Sequence, residues 1–207
     1  MARPEVIVVR TGVANVASVV AGLLRAGGAP RLTSDAEEVR SAERVVLPGV
    51  GAFAAGMSCL RGAGLDTALK DRIAAGRATL AVCLGLQLLC EGSEEDVDEA
   101  GLGVLRGCAS RFPESVSVPQ LGWNRVEPDA GCRLLRPGYA YFANSYRLAN
   151  GPVGWPAAYA EHGGRFVAAV ETDCVLACQF HPELSGTWGT ELLGRWLAGS
   201  GRGGERC

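Results

Sequence analysis

The chain opens on a short β-branched run, "EVIVV" (5–9), whose length and composition predict a buried strand. After "TGVAN" the spacing changes. Val16, Val19, Val20, Leu23 and Leu24 fall at helical intervals, Asn15 stands where an N-cap belongs, and Gly27-Gly28 supplies the stop. "RVVLPG" (44–49) predicts a second strand, ended by Pro48-Gly49. "LDTALKDRIAAG" (65–76) places Leu65, Leu69 and Ile73 on one helical face, with Gly76 as the stop. "TLAVC" (79–83) reads as a strand and "LGLQLLCE" as the start of a helix. This alternation predicts a parallel sheet with helices on its faces.

The second half has a different rhythm. "SVPQLGWNRVEP", "YAYFANSYRL", "PAAYAEHG", "RFVAAVETD" and "VLACQF" are short strand-like runs separated by Gly, Pro and Asn. They predict an antiparallel extension added to the sheet. "GTELLGRWLAG" (189–199) closes the pattern as a helix with Leu192, Leu193, Trp196 and Leu197 inward. Residues 1–199 read as a single domain, and "SGRGGERC" (200–207), which lacks a hydrophobic face, as a flexible tail.

Composition narrows the classes. In 207 residues, 48% hydrophobic and 20% charged, there is enough apolar side chain for a packed core and too little charge for wholesale disorder. A formal charge of −2 without a long basic block argues against nucleic acid as a partner. The first apolar run is too short for a signal peptide or a membrane span, so the expected location is the cytoplasm. The eight cysteines (59, 83, 90, 108, 132, 174, 178, 207) lack C-x-x-C spacing, and only two histidines accompany them. A disulfide framework or a zinc site is therefore not expected, and most of the cysteines read as small buried hydrophobes.

Cys83 is the exception. "AVCLG" places it where a strand turns into a helix, between small residues that a crowded turn requires. Such a turn holds a side chain above the sheet edge, where ligands bind in open α/β folds. The partial positive charge at the helix start favours a thiolate, and its free N–H groups can hold an oxyanion. A buried structural cysteine at a strand end is the competing reading. A nucleophile needs a base. His162, in the polar turn "AEHGGR", reads as a solvated loop residue. His181, in "CQFHPELSG", is followed by Pro182, which favours an extended backbone, so Glu183 lies on the same side and can orient the imidazole. "LPGVGAF" (47–53) adds glycines around Val50 that let backbone N–H groups turn toward a substrate. Alone, it would pass as an ordinary turn.

P-G-V-G, then C-L-G-L-Q, then H-P-E, in that order, resemble the class I (triad) glutamine amidotransferases. "LGWNRVEP", "YFANSY" and "QFHPELSG" narrow the resemblance to the glutaminase subunits of imidazole glycerol phosphate synthase, over about residues 5 to 199. The resemblance implies a flavodoxin-like α/β fold, a mostly parallel sheet flanked by helices. It makes Cys83 the nucleophile, His181 the acid/base and Glu183 the orienting carboxylate. Val50, Gly51 and Leu84 become oxyanion-hole and pocket residues, while Gln87, Ser145 and Tyr146 contact the substrate L-glutamine. Asn15, Leu121, Trp123 and Asn124 face a (β/α)8 barrel synthase, in a heterodimer. The implied reaction hydrolyses glutamine to glutamate and ammonia. The ammonia passes to the synthase, which makes imidazole glycerol phosphate and AICAR in histidine biosynthesis. No metal or organic cofactor is implied.

Several positions depart from the family pattern. Arg10-Thr11-Gly12-Val13-Ala14-Asn15 stands for an acidic D-x-G-x-x-N, Ala81 for the usual elbow glycine, Asn144 for a histidine and Leu184 for a basic residue. A paralogous triad glutaminase serving sugar amination or pyridoxal phosphate synthesis, and a non-catalytic docking subunit, are the alternative readings. The glycines of "PGVG" further predict a resting oxyanion hole that is poorly organised until a partner docks, because a peptide between glycines flips at little steric cost.

Overall fold

A computed structural model describes residues 2–10 and 16–199 of the chain. Asn15 and the tail beyond residue 199 lie outside them. The elements run β1 (Glu5–Val9), α1 (Val16–Arg25), β2 (Ala29–Thr33), α2 (Ala36–Ser41), β3 (Arg44–Leu47), α3 (Phe53–Gly62), α4 (Leu65–Ala74), β4 (Ala78–Val82) and α5 (Leu84–Leu89). Then follow β5 (Gly92–Ser93), β6 (Asp96–Ala100), β7 (Cys108–Arg111), β8 (Gln120–Pro128), β9 (Gly138–Asn144), β10 (Tyr146–Arg147), β11 (Ala157–Glu161), β12 (Arg165–Glu171) and β13 (Val175–Cys178). A single 3-10 turn (Pro182–Leu184) leads into α6 (Gly186–Gly199).

Nine strands form one sheet in the order β2-β1-β3-β4-β13-β12-β11-β8-β9. The run β2 to β13 is parallel, and the remainder is antiparallel. "VLACQF" is thus a correction to the expected antiparallel extension: β13 pairs in parallel with β4 and forms the seam between the two halves. Its continuous apolar character is the signature of burial on both faces, shared with β1, β3 and β4. The strand-like run "YAYFANSYRL" is also divided. β9 stays in the large sheet, and β10 crosses to a small sheet ordered β10-β7-β5-β6, so the break falls at Ser145.

Alternate residues of the parallel strands feed two cores. Val6, Val8, Val46, Leu80 and Val82 pack with α1 and α6 through Val19, Leu23, Leu192, Leu193 and Trp196. Ile7, Val9, Val45, Leu47 and Ala81 face the other way, against Phe53, Met57 and Leu60 of α3, Leu65 and Leu69 of α4, and Leu86 and Leu88 of α5. Helix α6 begins at Gly186, three residues before the expected start. Of the seven cysteines described, only Cys83, Cys90 and Cys178 are buried, so the expectation that most would be small core residues fails. His162 is more than a solvated loop residue: Nε2 lies 2.9 Å from the Ser117 carbonyl and the ring meets Phe112 edge-on.

Below the sheet, α4 sends Arg72 into the interior, where it is fully buried. Its guanidinium donates to the carbonyls of Val39, Ala42 (3.2 Å) and Ala78 (2.8 Å) and to Thr79 Oγ1 (3.0 Å). Burial, and next to it Arg77, brings its pKa down to about 10, so it remains charged at neutral pH. Here a cation ties α2, α4 and the start of β4 together through neutral acceptors. Arg72→Met removes every donor and leaves buried carbonyls unpaired. It is expected to destabilise the fold by at least about 3 kcal/mol and to lower the melting temperature by roughly 6–12 °C. Calorimetry checks this, and an unchanged melting temperature contradicts it.

Candidate active site

Three loops leave the carboxyl ends of three neighbouring parallel strands, the place where open α/β sheets bind ligands. Pro48–Gly51 follows β3, Cys83 follows β4, and His181 follows β13 by three residues. Cys83 has φ +53° and ψ −111°, and it is the only non-glycine residue with positive φ among the described residues. A side chain in this region is strained, and the surroundings hold it there. Cys83 N–H donates to the Cys178 carbonyl at 2.7 Å, locking the elbow to β13. The turn also demands close backbone approach. A Cβ on Gly49 would lie 2.5 Å from Gly85 N and 2.7 Å from Leu84 Cβ.

His181 is pinned from its other side. Its N–H donates to the Tyr141 carbonyl (2.9 Å), and its carbonyl accepts from Ser185 Oγ (2.6 Å), which in turn accepts from Tyr141 N–H (3.0 Å). His181 itself is extended, but the chain then tightens into the 3-10 turn, so the expected two-residue alternation is not what delivers Glu183. The turn does, and it brings Glu183 Oε1 to 2.9 Å from His181 Nδ1. Helix α1 fixes Glu183 from behind. Arg25 Nη2 donates to its carbonyl at 2.8 Å, and a Cβ on Gly22 would lie 2.6 Å from Glu183 Cβ. Gly22 is therefore a close-packing position that lets α1 touch the triad.

With Nδ1 committed to Glu183, the other ring nitrogen is left for Cys83. Burial pushes the imidazole pKa down. The bonds to Cys83 and Glu183 together outweigh it and carry the pKa up to about 10. His181 is thus held as an imidazolium beside a sulfur, the setting that activates thiols. Three other cysteines are held as thiols. Burial raises Cys90 to about 12, Cys132 to about 11, and Cys178 well above its ordinary value.

One of the oxyanion-hole candidates is not free for that task. Leu84 N–H donates to the Gly49 carbonyl at 3.2 Å, so a donor expected to face substrate is occupied by the very turn expected to help it. Gly51 has φ +105°, a backbone state natural to glycine, directly after Val50. The far end of this segment is tethered. Ala52 cannot cap α3 with its side chain, and Glu95 Oε2 accepts from Phe53 N–H at 2.8 Å instead. Gln87 is also otherwise engaged. Its Nε2 donates to the Tyr146 carbonyl (3.0 Å) and to Gln179 Oε1 (3.1 Å), which leaves only its oxygen for a ligand. Ser145 uses its carbonyl to accept from Phe112 N–H at 3.1 Å.

A cavity of about 190 Å³ opens beside the triad, walled by Ser18, Val50, Ala143, His181, Glu183 and Leu184. Next to it Leu121 and Trp123 stand 69% and 58% exposed on β8, with Tyr139 on β9 at 59%. Trp123 meets Tyr141 edge-on across the strands. Asn124, on the alternate face of β8, donates instead to the Glu161 carbonyl at 2.9 Å. Two residues escaped the sequence reading. Glu95 acts across 42 residues, beyond any local pattern. Gln179, whose Nε2 lies 3.8 Å from Cys83 Sγ, had a usable signal: it precedes His181 by two in an extended run. No group of side chains suited to a metal occurs among the described residues, and no helix among them is long and apolar enough to cross a membrane.

Comparison with known proteins gives the family. The family described as "Glutamine amidotransferase class-I" matches residues 29–198. "Imidazole glycerol phosphate synthase subunit HisH" of Leifsonia xyli subsp. xyli is 42% identical over 208 residues, covering 95% of this chain and 99% of that protein. The protein of the same name in Herpetosiphon aurantiacus is 39% identical over 193 residues, covering 92% of each. A solved structure described as a glutamine amidotransferase superposes with a TM-score of 0.76 at 20% identity, covering 94% of this chain and 98% of that one, a likeness of fold. The chain belongs to the class-I glutamine amidotransferase family and, within it, to the HisH group.

Proposed function

We propose that this chain is the glutaminase subunit of an imidazole glycerol phosphate synthase, with Cys83, His181 and Glu183 as its triad. The observation that carries this reading is the conjunction of a positive-φ cysteine with a buried imidazole that one carboxylate orients. Cys83 Sγ attacks the side-chain carbonyl carbon of glutamine. The carbonyl electrons move onto oxygen, and His181 gives its proton to the departing nitrogen. Ammonia leaves and a thioester remains. Water, deprotonated by His181, adds to the thioester, the C–S bond breaks, and glutamate and the thiolate are released. Glu183 holds the imidazole in one tautomer throughout. Leu84 N–H, once freed from Gly49, and an N–H near Val50 stabilise the oxyanion, each worth roughly 2.7–4 kcal/mol. Free ammonia becomes protonated in bulk water, so its delivery calls for a partner seated against the mouth of the site. The exposed Leu121–Trp123–Tyr139 face beside the cavity supports docking of a cyclase subunit there, in a cytoplasmic heterodimer. Ser145 and Tyr146, at the strand break, and Gln87, through its oxygen, face the substrate.

A glutamine-like diazo-ketone should label Cys83 alone, and glutamine should protect it. His181→Ala should abolish turnover in the complex, and Glu183→Gln should retain measurable activity. Label on Cys90 or Cys174 in place of Cys83, or equal loss for the two variants in folded protein, contradicts the assignment.

Trp123→Ala should leave the melting temperature within about 2 °C of the parent, because the ring is more than half exposed. It should weaken capture of the cyclase subunit roughly thirtyfold or more, as expected for an aromatic anchor. A variant that unfolds, or that binds the cyclase as the parent does, rules out this anchoring role.

A further inference from the structure

Behind the nucleophile runs a line of side-chain amides, of which the mechanism above uses only the oxygen of Gln87. It begins at Asn144, whose Nδ2 donates to the Tyr146 carbonyl at 2.9 Å. Gln87 Nε2 donates to the same carbonyl at 3.0 Å and to Gln179 Oε1 at 3.1 Å. Gln179 Nε2 then reaches Cys83 Sγ at 3.8 Å. The direction of this line is not arbitrary. A backbone carbonyl only accepts, so the end of Gln87 that meets Tyr146 must be its NH2 group. The second hydrogen of that group needs an acceptor, which makes the facing atom of Gln179 its oxygen. The atom of Gln179 turned to the sulfur is therefore NH2, a donor, and flipping either amide would set donor against donor or acceptor against acceptor.

We propose that Gln179 is a hydrogen-bond donor to the nucleophile, aimed at Cys83 Sγ by Gln87 and acting in addition to His181. The inference rests on Cys83 being the nucleophile. Gln179 is fully buried, and its N–H is tied to the Ala168 carbonyl at 2.8 Å, which fixes its place directly after β13. It occupies the same side of the extended run as His181, two residues on, so one strand end supplies both groups that meet the sulfur. Their duties differ. His181 must surrender its proton to the departing ammonia and recover one from water. An amide N–H keeps its proton throughout. It meets the negative sulfur before attack, and again when the C–S bond of the thioester breaks and the electron pair returns to Sγ. In the thiol form the sulfur has an acceptor instead, the Ala143 carbonyl at 3.9 Å. The arrangement thus serves both protonation states.

The test is alkylation of the full-length protein by iodoacetamide, followed by peptide mapping, for the parent, Gln179→Met and Gln179→Glu. Methionine keeps the length and loses the donor, and glutamate keeps the shape and replaces the donor with an acceptor. Cys83 should be alkylated roughly ten- to a hundredfold more slowly in both, and the half-maximal pH of its alkylation should move upward. The groups facing the sulfur that titrate are His181, backed by Glu183, and the neighbouring Cys178, which burial keeps protonated; Gln179→Met leaves this set unchanged and is the deciding variant, whereas Gln179→Glu adds a carboxyl of its own. A merely structural role would lower the melting temperature and leave that profile in place. In the parent protein itself, alkylating Cys83 should shift the side-chain amide resonances of Gln179. Alkylation of Cys83 at the parental rate and pH in a folded variant, or Gln179 resonances unmoved by alkylation, overturns the proposal. Label taken elsewhere in the parent overturns the nucleophile and the donor together. Label on Cys83 at equal rates with and without Gln179 removes only the donor.

Discussion

The turn from β4 into α5 is the constraint on which the site depends. A cysteine at φ +53° is stable only if its surroundings over-determine it. The neighbouring strands supply that determination. β13 takes the Cys83 N–H, and the turn after β3 presses against Leu84 and Gly85 so closely that Gly49 has no room for a side chain. Because β3, β4 and β13 are adjacent and parallel, their three carboxyl ends converge without further machinery. The apolar strands, four or five residues each and buried on both faces, bring distant residues to one point, and the loops at their ends carry the chemistry.

Much of this was legible from residue pattern. β1, β3 and β4 announced themselves as uninterrupted β-branched or apolar runs, and Leu65, Leu69 and Ile73 marked α4. Helix α3 was legible but passed over: Phe53, Gly56, Met57 and Leu60 recur at helical spacing, masked by the glycines that precede them. Helix α2 carried a signal too, since Asp35 Oδ1 caps Glu37 and Glu38 N–H groups. The direction of β13 was not legible. An apolar run of four residues reads the same whichever way its neighbour points, and only the whole topology decides it. The motifs around Cys83, His181 and Glu183 were legible as short local patterns, but the 3-10 turn that joins Glu183 to His181 was not, because a proline there reads as extended chain. The partners of Gln87 and Glu95 were not, because contacts across 42 and 92 residues leave no local trace.

The departures from the family pattern fall into two kinds. Ala81 and Asn144 lie inside the fold: Ala81 is fully buried in the core, and Asn144 donates to the Tyr146 carbonyl while its Oδ1 is buried without a partner. Leu184, 44% exposed, borders the same cavity as His181. An apolar residue there extends the Leu121–Trp123–Tyr139 face toward the mouth of the site, and apolar surface is what a docked subunit covers well. Helix α1 connects the two regions. Ser18 lines the cavity, while Gly22 and Arg25 hold Glu183.

The proposed triad is assembled while the Gly49 carbonyl holds the Leu84 N–H, the donor proposed for the oxyanion. Steady-state glutaminase kinetics, on the chain alone and on its complex with the cyclase subunit and its ligand, test this most directly. One donor of this kind changes kcat by about 10² to 10³. Very slow turnover is expected alone, with a rise of at least about a hundredfold in the complex and a KM for glutamine that changes far less, because the missing donor acts in the transition state. An isolated chain that turns over glutamine at the rate of the complex would contradict it.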